Sequence, residues 1–182
     1  MSDMKKSSGF TLHELLCVIT ITAILTTTAL PALQSFISAS RSKQLYYTIF
    51  TTIQYIRTKS ILLYEDIILC PSTDDKECIN NWQLPLILFV DLNKNKIRDS
   101  NEIIDRKINL LKKGERFIWK ASGTSRYLRF HTNGITTSQN GSFIICPQNK
   151  KIGDTYKIVL YYSGRARTAT AKEIKTKDFF ND

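Results

Sequence analysis

Three patterns of apolar and polar positions follow one another along the chain. Residues 1–9, MSDMKKSSG, are polar and carry Lys5 and Lys6. The next stretch, FTLHELLCVITITAILTTTAL, is apolar, and the 19 residues from Leu15 to Leu33 include no charge. A helix needs roughly 20 such residues to cross a bilayer. Pro31 lies near the end of this run, where its missing N–H and its ring predict a kink or local melting. Beyond it, Leu45, Ile49, Ile53 and Ile56 recur at i, i+4, i+8 and i+11, with Tyr46 and Phe50 beside them. That spacing predicts a helix with one apolar face, able to pack on a globular head.

After Glu65 the pattern shortens to runs rich in Ile, Val, Phe and Tyr between turn residues, which is strand chemistry. The predicted strands are Ile67 to Cys70, Leu86 to Val90, Arg116 to Lys120, Tyr127 to His131, Ser142 to Cys146 and Tyr156 to Tyr162. No second long helix is predicted. The expected class is α+β: an antiparallel sheet laid over the second half of the helix, a ladle without internal repeats. Residues 1–9 form a leader, 10–33 the transmembrane half of the helix, 34–65 its amphipathic half, and 66–182 a β-rich head with a basic tail.

Composition narrows the chemistry. A chain of 182 residues, 42% hydrophobic and 23% charged, can bury a core. Its net charge is +10, and the charge is unevenly placed. Arg106 to Asp182 holds 16 basic and 5 acidic side chains, whereas Arg41 to Asp105 holds 8 and 9. The C-terminal half therefore builds a basic surface suited to a polyanion. There are only two histidines, His13 and His131, and no HExxH, CxxC, GxSxG, GxGxxG or GxxxxGK[ST] occurs. No enzyme, cofactor or metal is expected.

Glu14 is the anomaly of the apolar run, because a lone carboxylate at the lip of a membrane helix costs a few kcal/mol unless a positive group meets it. A cut after Gly9 would supply one, since the new α-amino group on Phe10 stands four residues before Glu14. The string GFTLHELLCVITITAIL resembles the processing signature of type IV pilins and pseudopilins. Gly9, Phe10, Thr11, Leu12, Glu14 and Leu15 match it, whereas His13 and Cys17 depart from its usual apolar residues. The resemblance implies cleavage by a prepilin peptidase after Gly9, N-methylation of Phe10, and a role for Glu14 in setting subunit register among other pilins. It also implies an inner-membrane precursor with a periplasmic head, assembled later into a pilus at the cell surface.

The head continues the likeness. Trp82, ILFVD, the turn NKNKIRDSNE, Ser122–Gly123, RFHTNG, FIIC, KIVLYYS and GRAR occur in an order that is similar to the GspH/FimT group of minor pilins and pseudopilins. GspH-like members serve type II secretion, and FimT-like members serve type IV pili and bind DNA in natural transformation. Gly164, Arg165, Ala166 and Arg167 match the GRxR element of the FimT-like members. Arg165 and Arg167 are two apart, so in an extended segment both guanidiniums leave one face, about 6 to 7 Å apart. Each is able to make bidentate contacts with phosphate. Lys150, Lys151, Lys172, Lys175 and Lys177 are candidate distributed contacts. The expectation is a minor pilin that binds DNA without sequence preference for uptake. The alternatives are a secretion pseudopilin or a structural tip subunit, and a charged solvated β-edge would explain the arginines equally on physics alone.

Two further patterns carry expectations. Asp91, Asn93, Asn95, Asp99 and Glu102 occupy positions 1, 3, 5, 9 and 12 of an EF-hand-like loop, but Lys96 stands where that loop needs glycine. A hairpin held by Asn and Asp side chains is the expected form. With Cys17 in the membrane helix, Cys70, Cys78 and Cys146 are left for an oxidising compartment. A local disulfide between Cys70 and Cys78 is expected, with Cys146 buried in a strand; a bridge from Cys70 to Cys146 is the alternative.

Intact-mass analysis of the membrane-extracted protein checks the leader. The mature chain is expected to begin at a methylated Phe10, and a chain beginning at Met1 or after Leu33 refutes the processing signature.

Overall fold

The computed structural model describes residues 11–109, 111–136, 139–148 and 152–175. The chain falls into two units, Met1–Ile37 and Ser38–Asp182. One helix, α1 (Leu12–Leu63), runs through the end of the first into the second, and its backbone stays helical across Pro31. The predicted local melting does not occur: one lost hydrogen bond and a ring clash cost about 3 kcal/mol, which a long helix absorbs. In the first unit the apolar side chains of α1 are exposed throughout, and this segment is long and apolar enough to cross a membrane. Thr20, Thr22, Thr26, Thr27 and Thr28 donate their hydroxyls to carbonyls three or four residues earlier, so their polarity is spent inside the helix.

In the second unit Leu45, Ile49, Ile53 and Ile56 are buried, as their spacing predicts. Eight strands follow: β1 (Asp66–Pro71), β2 (Leu86–Asp91), β3 (Ile104–Ile108), β4 (Arg116–Ala121), β5 (Leu128–Phe130), β6 (Gly141–Cys146), β7 (Tyr156–Leu160) and β8 (Ala166–Thr168). They form two antiparallel sheets instead of the single one expected, ordered β3-β2-β1-β5 and β4-β6-β7-β8. The division arises because β5 pairs back with β1 while β4 passes over it to pair with β6. The helix face, Ile67, Leu69 and Leu88 of the first sheet, and Phe117, Phe143, Ile158 and Leu160 of the second join one core cluster, with Trp82 among them.

Two strands were not predicted. In β3 the sequence IDRKI shows neither alternation nor an apolar run, and all five residues are at least partly exposed. β8 is only three residues long and carries Arg167. The strand expected through Tyr162 ends at Leu160. Tyr161 and Tyr162 instead enter a tight turn, in which Gly164 N–H donates to the Tyr161 carbonyl and Tyr161 N–H to the Arg165 carbonyl. Cys70 is bonded to Cys78 at a Cα separation of 5.5 Å, and Cys146 is buried in β6. His131, expected within a strand, lies just past β5, with Nδ1 3.1 Å from the Asp66 carboxylate.

Gly164 fixes how the β7–β8 turn sits. Its φ is +74°, and a Cβ there would stand 2.0 Å from the Gly134 carbonyl oxygen. The turn therefore packs backbone to backbone against the turn at 131–134. Gly164→Ala is expected to lower stability by about 2 kcal/mol or more, combining left-handed strain with overpacking, read as a reduced urea midpoint at unchanged slope.

Candidate functional site

At the N-terminal end of α1, the Glu14 carboxylate accepts the Thr11 N–H at 2.9 Å and its hydroxyl at 3.0 Å, while the Thr11 hydroxyl accepts the Glu14 N–H at 3.3 Å. This reciprocal cap satisfies orphan donors of the first turn. Gly9 and Phe10 lie outside the described residues. Thr11 directly follows Phe10 in sequence, so the carboxylate is held by the amide next to the expected mature end.

The basic surface of the head is built by strand alternation. β4 turns Phe117 and Trp119 into the core, which leaves Arg116, Ile118 and Lys120 on the opposite face. β7 buries Ile158 and Leu160 and leaves Lys157 and Val159. Register then aligns Lys120, Ser142, Val159 and Arg167 in one row across β4, β6, β7 and β8. With strands about 4.8 Å apart, that row spans about 14 Å of backbone. The segment after β8 folds back over the same face. Ile174 packs on Ile118, Ile144 and Cys146, and the Lys157 ammonium donates to the Glu173 carbonyl at 3.1 Å.

Between this segment and the β7–β8 turn is an open groove of about 680 Å³, lined by Lys157, Tyr161, Tyr162, Arg167, Glu173 and Lys175 among others. Arg167 sits in it fully engaged. Its Nη1 and Nη2 bind the two Glu173 carboxylate oxygens at 2.9 and 2.6 Å, and its Nε donates to the Tyr161 hydroxyl at 2.9 Å. The same carboxylate accepts the Thr170 N–H at 2.7 Å and the Thr170 hydroxyl at 3.0 Å. Arg167 holds the Glu173 carboxyl down at about 2, and Glu173 in turn pushes the guanidinium up.

The arrangement alters the expected roles within GRAR. Gly164 serves the turn and its contact with Gly134. Arg165 is exposed and stands directly before β8, its carbonyl accepting the Tyr161 N–H. Arg167 already holds a carboxylate where a phosphate was expected. Lys172 is exposed in the short 3-10 turn Ala171–Glu173, and Lys175 lines the groove. Lys150, Lys151 and Lys177 lie outside the described residues. Sequence reasoning missed Arg116, Lys120 and Lys157. Alternation about Phe117, Trp119, Ile158 and Leu160 was the signal that places them.

The acidic loop is closed on itself. Both Asn93 and Asn95 donate side-chain amides to Asp99, the Glu102 carboxylate accepts the Leu92 and Asp99 N–H groups, and Lys96, at φ +68°, donates its N–H to Asp91. Burial pushes the Asp91 carboxyl up, with Glu102 and Asp66 adding repulsion. Among the described residues no group of three or more acidic, His or Cys side chains is placed to hold a metal ion.

The family model described as type II transport protein GspH matches residues 48–164, and that of the prokaryotic N-terminal methylation motif matches residues 4–30. Among solved structures, the type IV minor pilin FimU of Pseudomonas aeruginosa is similar at TM-score 0.52 and 19% identity, over 75% of this chain and 91% of that one. The minor pseudopilin EpsH of the Vibrio cholerae type 2 secretion system is similar at TM-score 0.52 and 13% identity, over 73% of this chain and 99% of that one. At these identities the likeness is one of fold. No curated protein matches the chain.

The Glu173 bridge has a defined pH dependence. Its carboxyl is lowered from 4.5 to about 2 in the folded chain, so its contribution is present above 4.5 and is lost as pH falls toward 2. Amide protection over residues 166–175 is expected to hold from pH 7 to 5 and to fall only near pH 2 to 3. Glu173→Gln is expected to lower that protection at pH 7, which hydrogen exchange measures.

Proposed function

The chain belongs to the GspH family, and from that premise we propose that it is a minor type IV pilin whose head binds DNA without sequence preference, in support of DNA uptake during natural transformation. The observation that supports the reading is the outer face of the second sheet, where Lys120, Lys157 and Arg167 share one surface with Lys175 of the returning segment, Lys172 being exposed in the turn just before it. Cations held on a rigid sheet neutralise phosphates at fixed spacing and release counterions, which supplies affinity irrespective of base sequence. Arg165, exposed at the head of β8, extends that surface toward the β7–β8 turn. At the other end of the chain, a prepilin peptidase would cleave after Gly9 and Phe10 would be N-methylated. Glu14 would then exchange its Thr11 cap for the amine of its own or a neighbouring subunit. The helix anchors the precursor in the inner membrane with the head in the periplasm, and packs against other pilins in the fibre.

A second reading, a pseudopilin of type II transport without DNA binding, is favoured by one observation. The Arg167 guanidinium, the central cation of GRAR, is occupied by Glu173. Removing Arg167 would also undock the returning segment, so the discriminating variants are Arg165→Gln and Lys120→Gln.

Binding of the full-length protein in neutral detergent to duplex DNA, measured across salt concentrations, separates the two readings. The slope of log K against log salt is expected to be about −0.9 per neutralised phosphate. Each substitution should reduce its magnitude by about one contact, with thermal stability unchanged. Absence of binding at low salt would overturn the DNA reading and leave the secretion pseudopilin or structural tip subunit in its place.

A further inference from the structure

Duplex DNA leaves one feature of the groove unused. Tyr161 and Tyr162 are consecutive, 41% and 60% exposed, and both line it. The backbone beneath them and the Tyr161 hydroxyl are held by hydrogen bonds. The Tyr162 N–H donates to the Asn140 side-chain oxygen at 2.7 Å, its carbonyl accepts the Thr136 N–H at 2.8 Å, and the Tyr161 hydroxyl accepts from Arg167. Gly164 keeps the turn tight behind them. The Arg167 guanidinium also lies 5.8 Å from the centre of the Tyr161 ring.

The groove thus combines flat aromatic surface with Lys157 and Lys175 within one concavity of about 680 Å³, while the Arg167 guanidinium is neutralised there by Glu173 and serves to brace Tyr161. A nucleotide presents the matching pair: a base with two π-faces joined through its sugar to a phosphate. In a duplex the bases are stacked on one another and their faces are closed to protein. In a single strand or an overhang they are open, and aromatic platforms beside cations hold them with little regard for sequence.

Building on the DNA-binding reading above, we infer that this groove takes unpaired nucleotides, stacked on Tyr162 and Tyr161, so that the protein holds single-stranded DNA or a single-stranded overhang more tightly than fully paired duplex. Tyr162 is the outer platform, being the more exposed of the two. Tyr161 is the inner one, braced by Arg167.

The test compares a single-stranded oligothymidine of about 20 nucleotides, a blunt duplex of equal length, and the same duplex with a single-stranded overhang. Each is titrated by fluorescence anisotropy against the full-length protein in neutral detergent. The single strand and the overhang are expected to bind on the order of tenfold more tightly than the blunt duplex at equal salt. Tyr162→Ala should remove that preference while leaving blunt-duplex affinity unchanged, and Tyr162→Phe should retain it. Equal affinity for all three ligands, or a loss in Tyr162→Ala shared by single strand and duplex, overturns the stacking site while leaving the DNA reading in place. Failure of every ligand to bind at low salt overturns both.

Discussion

A single helical stripe has to serve two sheets at once. Leu45, Ile49, Ile53 and Ile56 belong to one buried cluster drawn from both. A sheet with one apolar face must bury it against something. The helix thereby joins both sheets to one core; the outward face of the first sheet is itself closed over by a second cluster of Ile68, Cys70, Ile87 and Phe89, so the outward face of the second sheet is what remains for other work. Large-to-small changes on the stripe would be felt in both sheets, since buried Ile to Ala commonly costs about 2 to 5 kcal/mol.

Much of this was legible in the chain. The stripe, the apolar span and six of the eight strands follow from spacing, because strongly periodic or uniformly apolar segments leave few alternatives. β3 was illegible because an edge strand pairs on one side only and keeps Asp105, Arg106 and Lys107 in its short run. β8 was hidden by its length, and it exists because the turn at Gly164 returns the chain beside β7. The division into two sheets is a matter of long-range pairing, β5 with β1, which local pattern does not encode.

The candidate surface was half legible. Net charge located it in the C-terminal half, and GRAR marked its edge. What the sequence did not reveal is that the basic tail returns over the sheet and brings Glu173 to Arg167. That contact joins residues six apart across a short turn, held by the Thr170 cap on Glu173 and by Ile174 packing on the cluster of Ile144 and Cys146. Lys120 and Lys157 lie 37 positions apart in the chain and share a face only through β6 between their strands.

The returning segment also bears on how the molecule can be handled. Lys175 lines the groove itself, so a substitution or label at this position acts on the surface whose ligand is sought. A bulky probe attached there would fill the same concavity and compete for it. The hairpin loop at Asn93–Asn95 is exposed and closed by its own side chains, and it offers an insertion point for an epitope or fluorophore away from the returning segment.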